Sequence, residues 1–190
     1  DTYSYLLNFK EKLLARGSSS VPKDPFYSVY AVAEYTFAPY KVVWREVSSK
    51  MVAAVISDTQ DEYLGQELAI PEHTAVFIGC EQQDEAHYLC SVMNSAPSRL
   101  VITSYLHLHA SPHVMKYVSA VQYDADNPTH QRLAELSKEA HEVAPHAEED
   151  EEKQDELREV EQQIDEAAAE LWGINDEELA AIQQTLGELQ

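Results

Sequence analysis

The most constraining feature of this 190-residue chain is a change in the spacing of its apolar residues at Pro128. Before Pro128, short runs rich in Val, Tyr, Phe and Trp alternate with Pro, Ser and Gly, a pattern typical of strands and turns. After it, apolar residues recur at intervals of three and four, which is typical of helices. We therefore expect an α+β fold, in which a β-rich domain is followed by helices.

Several segments before Pro128 are expected to be strands. KVVWREV and KMVAAVIS, residues 41–47 and 50–57, predict two strands separated by Ser48 and Ser49, and residues 66–78 predict two short strands on either side of Pro71. RLVITSYLHLHA, residues 99–110, alternates along its length and predicts another strand. Helical spacing predicts helices over residues 3–16 and over DEAHYLCSVMNS, residues 84–95.

Two matching apolar seams follow Pro128 and predict an antiparallel helical hairpin. Gly173 is expected to end the second helix, and Asn175 with Glu178 resembles a capping arrangement for a final helix that reaches Leu189. The expected domains are a lead-in helix at residues 1–20, a β-rich domain at 21–126 and an acidic helical region at 127–190. The seam residues are Leu133, Leu136, Ala140, Val143 and Ala147 in the first helix, and Leu157, Val160, Ile164, Ala167 and Leu171 in the second.

Charge is distributed unevenly along the chain, whose formal net charge is −21. The first 60 residues have a balance of +1, whereas the residues from 144 onward carry 16 acids and two bases. This asymmetry suggests a neutral part that meets a partner and an acidic helical part that stays solvated. The acidic surface also suits a protein adapted to high salt.

Composition excludes several classes of protein. An apolar content of 44% is too high for a disordered tail, and five Gly and two Cys fit neither collagen nor a disulfide scaffold. No apolar run approaches the length that a bilayer requires, so we expect a cytoplasmic protein without membrane contact. Cys80 and Cys90 are expected to be buried free thiols. Because the chain starts at Asp1 and not at Met, we expect it to be cut from a longer protein.

Motifs for catalysis are weak or missing. The glycine patterns of phosphate loops, dinucleotide sites and hydrolase elbows do not occur, and the E-x-K at Glu151 and Lys153 fits a solvated helix start better than a nuclease site. His130 and His141 are expected on a polar helix surface. His107, His109 and His113 form an H-x-H-x-x-x-H spacing that could bind zinc in a metal-dependent hydrolase. An exposed strand edge explains this spacing better, so we predict no metal site.

The segment EYTFAPYKVVWRE, residues 34–46, interleaves aromatic rings with long cations. Rings can stack on bases and cations can neutralise phosphates, which suggests a nucleic-acid contact surface. Equally, the rings could belong to the core, with the cations extending outward from the sheet. The candidate contact residues are Tyr35, Tyr40, Lys41, Trp44 and Arg45.

A family resemblance extends over about residues 25–189. PYKVVWRE with VAAVIS, EAHYLCSVMNS, SPHVMKYV and YDADNPTHQRLAELSKEAH occur in this order, and the chain ends in IDEAAAELWGINDEEL. Together they resemble the C-terminal region of gamma-class adenine-specific DNA methyltransferases, which include Taq-type methylases and fused type IIG restriction and modification enzymes. Those proteins usually have Tyr where Trp172 stands. The resemblance implies a target-recognition region that reads double-stranded DNA through the segment containing Lys41 and Arg45.

The catalytic motifs of that family are missing from this chain. Neither an N-P-P-Y string nor a glycine-rich adenosylmethionine motif is present, and the nearest string is N-P-T-H at Asn127. The chain alone is therefore expected to bind no cofactor and to methylate nothing. An upstream domain of the same protein would bind S-adenosylmethionine and methylate adenine, in a modification or restriction-modification enzyme. The alternative is a protein-interaction module that docks a partner through the seams of the acidic hairpin.

Overall fold

A computed structural model describes residues 1–30, 32–48, 50–63, 65–105, 116–118 and 120–189. The chain forms two compact units, residues 1–37 and 38–190. Of the described residues, 53% are helical and 14% lie in strands, so the predicted α+β class is confirmed. The boundary expected between residues 126 and 127 falls inside the second unit, which contains both the strands and the C-terminal helices.

The first unit contains two short helices, α1 (Thr2–Leu7) and α2 (Lys10–Leu14), and a 3-10 turn (Glu34–Phe37). The single helix predicted over residues 3–16 is interrupted at Asn8, where the backbone bonds become tighter: the Asn8 amide donates to the Tyr5 carbonyl at 3.2 Å and the Phe9 amide to the Leu6 carbonyl at 3.0 Å. The side-chain amide of Asn8 donates to the same Tyr5 carbonyl. The Arg16 guanidinium joins the end of α2 to the segment that follows. It donates to the carbonyls of Leu13, Phe26 and Ser28 at 2.7, 3.1 and 2.9 Å.

The second unit begins with a three-stranded antiparallel sheet made of β1 (Tyr40–Arg45), β2 (Ala53–Ser57) and β5 (Ala75–Cys80). The strand order is β2-β1-β5, and Val42 lies opposite both Val55 and Ile78. A separate ribbon pairs β3 (Thr59–Asp61) with β4 (Gly65–Glu67). The strands predicted around KVVWRE, AAVIS and AVFI are confirmed, whereas ELAI contributes only its first residue to β4.

Five helices complete the second unit. They are α3 (Gln83–Asn94), α4 (Ala96–Tyr105), α5 (Pro128–Val143), α6 (Glu151–Trp172) and α7 (Asp176–Leu189), with a 3-10 turn (Ala144–His146) after α5. Helix α3 packs on β1 and β2 and also contacts α5, which contacts α6. The α5–α6 pair is antiparallel, since Thr129 bonds to Glu170 and Arg132 bonds to Gln163. The predicted hairpin is confirmed.

The ends of the last two helices follow the local sequence closely. Gly173 ends α6 with a φ of 66°, a left-handed conformation that favours glycine. The Asn175 side chain accepts from the Glu178 amide while the Glu178 carboxylate accepts from the Asn175 amide, each at 3.0 Å. This reciprocal pair is a capping box, and it confirms the predicted start of the final helix.

The strand predicted over residues 99–110 is wrong where the structure describes it, because residues 96–105 form α4; residues 106–110 lie outside the described residues. The Asp165 carboxylate, on α6, accepts a hydrogen bond of 2.6 Å from the Ala96 amide at the start of α4. Packing of α4 against α6 and α7 then outweighs the strand preference of Val101, Ile102 and Thr103. Pro97 in the first turn of α4 was the overlooked helix-start signal.

Side chains cover the outer edge of β2 in place of another strand. The Asn94 side chain accepts from the Ala53 amide and donates to the Ala53 carbonyl, both at 2.8 Å. Two residues further along, the Val55 amide donates to Nε2 of His141 at 2.8 Å. These bonds satisfy backbone groups that an edge strand otherwise leaves unpaired. The sheet edge is thereby joined to α3 and α5.

Replacing Asn94 tests this edge. Asn94→Ala leaves the Ala53 amide without its side-chain partner and the Ala53 carbonyl with only the weak thiol donor of Cys90, and we expect the free energy of unfolding to fall by about 1–3 kcal/mol. Urea denaturation followed by circular dichroism measures the loss. Gln184→Ala removes an exposed amide that bonds to Glu188 on its own helix, so its effect should stay within about 0.5 kcal/mol. Equal stability of the two variants would contradict the role given to Asn94.

Removing the Asp165 carboxylate tests the start of α4. Asp165 is buried and also accepts from Gln183 on α7 at 2.8 Å, so Asp165→Ala loses two hydrogen bonds that connect three helices. We expect a loss of about 1–3 kcal/mol in the free energy of unfolding. Glu166→Ala, which removes the exposed carboxylate next to it, is the matched control in the same urea titration. If both variants unfold at the same urea concentration, the buried carboxylate does not support α4.

Candidate nucleic-acid interface

Lys41 is buried, contrary to the expectation that it faces DNA. Its side chain is 1% exposed, and its ammonium donates to the Ala38 carbonyl at 2.6 Å. Burial lowers the pKa of Lys41, and the carboxylate of Asp58 opposes that change. The side chain therefore supports the chain where it enters β1 and is not positioned to contact a phosphate.

The other four candidates differ in exposure. Trp44, on the face of β1 that packs on α3, is 3% exposed and belongs to the core, and Tyr40 is half-buried against the same core. Arg45 is exposed at the end of β1. Tyr35 is 44% exposed, but it lies in the 3-10 turn of the first unit. The expected contact surface is thus corrected: Lys41 and Trp44 are structural, and only Tyr35 and Arg45 are exposed.

The alternative interpretation of residues 34–46, with the rings in the core and the cations extending outward, is only partly correct. Strand alternation places Trp44 in the core, as that alternative expects. Tyr35 and Phe37 are exposed, however, and Lys41 is enclosed and does not extend into solvent. Composition therefore identified a segment with both rings and cations, but it could not distinguish the ones that the fold buries.

An aromatic patch, defined here as Tyr3, Phe26, Tyr27 and Lys10, occupies the first unit. The ring centroids of Tyr3 and Tyr27 are 5.9 Å apart, and each ring also contacts Phe26. The Lys10 ammonium lies 5.5 Å from the centroid of Phe26, within the range of a cation–π contact. Tyr3 and Tyr27 are 53% and 42% exposed. The patch therefore presents aromatic rings and a cation together.

Arg16 holds the aromatic patch in place. Its bonds to the carbonyls of Phe26 and Ser28 fix the backbone on both sides of Tyr27 relative to α2, which contains Lys10. Fixed rings lose little conformational freedom when they bind a partner. Sequence reasoning missed this patch because its members come from three separate segments: α1, α2 and residues 26–27. The available signal was that 8 of the chain's 17 aromatic residues lie among the first 37.

The two units differ sharply in charge. Residues 1–37 contain four acids and four bases, so their formal net charge is zero, whereas residues 38–190 carry the whole net charge of −21. A polyanion approaching the second unit meets a strongly repulsive field, although salt reduces that repulsion. The first unit presents no such barrier. Of the two units, it is the one without net repulsion toward a polyanion.

A buried polar cluster lies where α3, α5 and β2 meet. Nδ1 of His87 is 3.0 Å from the Ser137 hydroxyl, and the rings of His87 and His141 are 5.0 Å apart. His141 donates from Nδ1 to the Ser137 carbonyl at 2.6 Å and accepts at Nε2 from Val55. The prediction that His141 and His130 lie on a polar surface is wrong, since His141 is half-buried and His130 is 2% exposed. Their packing between elements explains the difference.

Neither cysteine is suited to nucleophilic chemistry. Both Cys80 and Cys90 are buried and free, as predicted. Burial raises the pKa of each thiol to about 12. A reactive cysteine needs a lowered thiol pKa and access to solvent, so these two side chains serve packing.

Within the described part of the chain, no group of His, Cys, Asp and Glu is arranged to hold a metal ion. His107, His109 and His113 lie outside the described residues, so what was predicted for their zinc-like spacing stays a prediction. None of the described helices combines the length and the apolar character needed to cross a bilayer.

Stability should depend on pH through His87. Burial, with the nearby His141 and Lys138, lowers its pKa from 6.5 to about 4, against the opposing effect of Asp84. Between these pH values the unfolded chain binds a proton that the folded protein does not, so stability falls as pH decreases through this window. We expect His87→Gln to remove on the order of 2 kcal/mol of that decrease, allowing for partial solvent screening. Urea titrations from pH 7 to 4 measure it, and parallel profiles for both proteins would contradict this assignment.

Comparison with known proteins adds no assignment of its own. No protein-family model matches this chain, and no curated protein is significantly similar to it.

Proposed function

We propose that this chain is a DNA target-recognition region of an adenine-specific DNA methyltransferase or restriction-modification protein. In this proposal it contacts double-stranded DNA through the aromatic patch of the first unit. S-adenosylmethionine binding and adenine methylation belong to a separate upstream domain of the same protein. The observation that carries the proposal is the combination of exposed rings and Lys10 in the one unit without net negative charge.

The chemistry of the patch supports contact with nucleic acid. Aromatic rings can pack on bases or sugars, and a lysine beside them can neutralise a phosphate. Tyr35, which is in the same unit, is an additional exposed candidate from the contact residues predicted from sequence. Arg45 is the exposed candidate of the second unit. Lys41 and Trp44 act indirectly, by forming the sheet. The sequence resemblance, which begins near residue 25, provides the separate reason for assigning DNA as the partner.

The acidic second unit is compatible with a DNA reader that works in concentrated salt. Each phosphate contact contributes about −0.9 to the logarithmic salt dependence of binding, so purely ionic contacts weaken steeply as salt rises. Ring contacts carry no charge and are less affected. A reader with few cations and exposed tyrosines would lose less affinity under those conditions.

The alternative, a module that docks a partner through the hairpin seams, is less well supported. Leu133 and Leu136 are fully buried, and Val160 and Ile164 are 2% and 5% exposed. These side chains pack in the core of their own unit. A partner could reach them only if α5 and α6 moved away from α3.

Titration of a short labelled DNA duplex with the whole chain at several salt concentrations tests the proposal. Lys10→Ala should reduce the logarithmic salt slope by about 0.9, the value of one phosphate contact. Tyr27→Ala should weaken binding at every salt concentration without changing the slope, because the ring carries no charge. Fluorescence anisotropy measures both effects.

Lys153→Ala is the matched control, since it makes the same change of net charge in α6, where Lys153 bonds to Glu156. It should leave DNA binding unchanged. If Lys10→Ala and Lys153→Ala alter binding equally, only net charge matters and the aromatic patch is not the contact surface. If the chain shows no affinity for DNA at low salt, the proposal fails.

A further inference from the structure

The two exposed rings of the aromatic patch are perpendicular to each other. The ring planes of Tyr3 and Tyr27 meet at 90°, and those of Phe26 and Tyr27 meet at 83°. Phe26 is buried and contacts both tyrosines, whereas about half of each tyrosine remains open to solvent. Tyr3 and Tyr27 therefore present two ring surfaces that face a ligand in different directions.

The angle between these rings limits how many bases the patch can contact. Bases that are stacked on one another are parallel, so two perpendicular rings cannot both stack face to face on them. A single base that lies flat on one ring is perpendicular to the other ring. It then makes a stacked contact with the first ring and an edge-to-face contact with the second, and aromatic pairs favour both geometries. The rings are thus arranged for one base.

A base that contacts the patch in this way has to be free of its neighbours. Inside a double helix both faces of each base are covered by the adjacent base pairs, so a protein ring cannot stack on it there. Moving a paired base out of the helix costs its pairing and its stacking, and this cost is least for a base that is already unpaired. The patch therefore gains most from a nucleotide that lies outside the stack before binding.

We propose that the aromatic patch binds one unpaired nucleotide within double-stranded DNA, with its base against Tyr3 and Tyr27 and its phosphate near Lys10. This inference rests on the proposed function and narrows its ligand. The exposed Lys10 ammonium lies 5.5 Å from the centroid of Phe26, the ring that contacts both tyrosines. The cation and the open rings thus adjoin one another, and a nucleotide supplies the phosphate and the flat base that complement them.

Three DNA duplexes with the same ends test the inference on the whole chain. The first is fully paired, the second has one unpaired adenosine near its middle, and the third has an abasic residue in place of that adenosine. Fluorescence anisotropy at one salt concentration measures the three affinities. We expect the unpaired adenosine to tighten binding about tenfold relative to the paired duplex, the effect of one stacked base. The abasic residue keeps the local flexibility without the base, so it should give no such gain.

Replacing both tyrosines, Tyr3→Ala with Tyr27→Ala, should reduce the tenfold ratio to about one. Tyr3→Phe with Tyr27→Phe keeps both rings and should keep the ratio, which distinguishes loss of the rings from loss of folding. Tyr63→Ala removes a highly exposed tyrosine of the second unit and is the matched control, with the ratio expected to be unchanged.

Equal binding of the paired duplex and the duplex with unpaired adenosine overturns this inference and leaves the proposed function standing. An equal gain from the abasic residue also overturns it, because the chain would then recognise flexible DNA and not a base. If none of the three duplexes binds, the proposed function fails together with the inference.

Discussion

Burial of α3 on two opposite sides is the constraint on which the second unit depends. One side of this helix packs on β1 and β2, and another packs on α5. Its polar side chains are not left unpaired by this burial. The Tyr88 hydroxyl donates to the Val121 carbonyl at 2.9 Å, and the Ser91 hydroxyl donates to the Leu133 carbonyl at 2.5 Å. A hydrogen-bonded central helix therefore combines the sheet and the hairpin into one compact unit.

The features that could be predicted from sequence are those set by neighbouring residues. The seams of α5 and α6, the left-handed Gly173 and the capping box before α7 each depend on a few positions within one or two helical turns. Helix α4 has one local start signal, Pro97, but the strand preference of the residues after it is stronger, and the carboxylate that caps the helix belongs to Asp165, 69 residues further along. Local strand preference in Val101 and Ile102 was overridden by a distant hydrogen bond and by packing.

The candidate contact residues also include some whose placement local sequence predicts and others whose placement depends on the whole fold. Alternation along β1 places Trp44 and Lys41 on opposite faces of the strand. Whether the face with Lys41 is covered depends on the rest of the fold, so local sequence could not predict that this lysine is buried. The aromatic patch is assembled from α1, α2 and residues 26–27, which no periodic pattern connects. Composition and charge pointed to the first part of the chain as the neutral, aromatic one, and only the three-dimensional arrangement identified which rings lie together.

The hydrogen bonds from Asn94 and His141 to the edge of β2 have a consequence for biosynthesis. Both side chains follow the strand in the chain, and His141 follows it by 86 residues. While the ribosome is still producing the intervening sequence, β2 has open backbone groups that another nascent polypeptide could pair with. The interval before α5 emerges is consequently the stage at which chaperone protection would matter most to this protein.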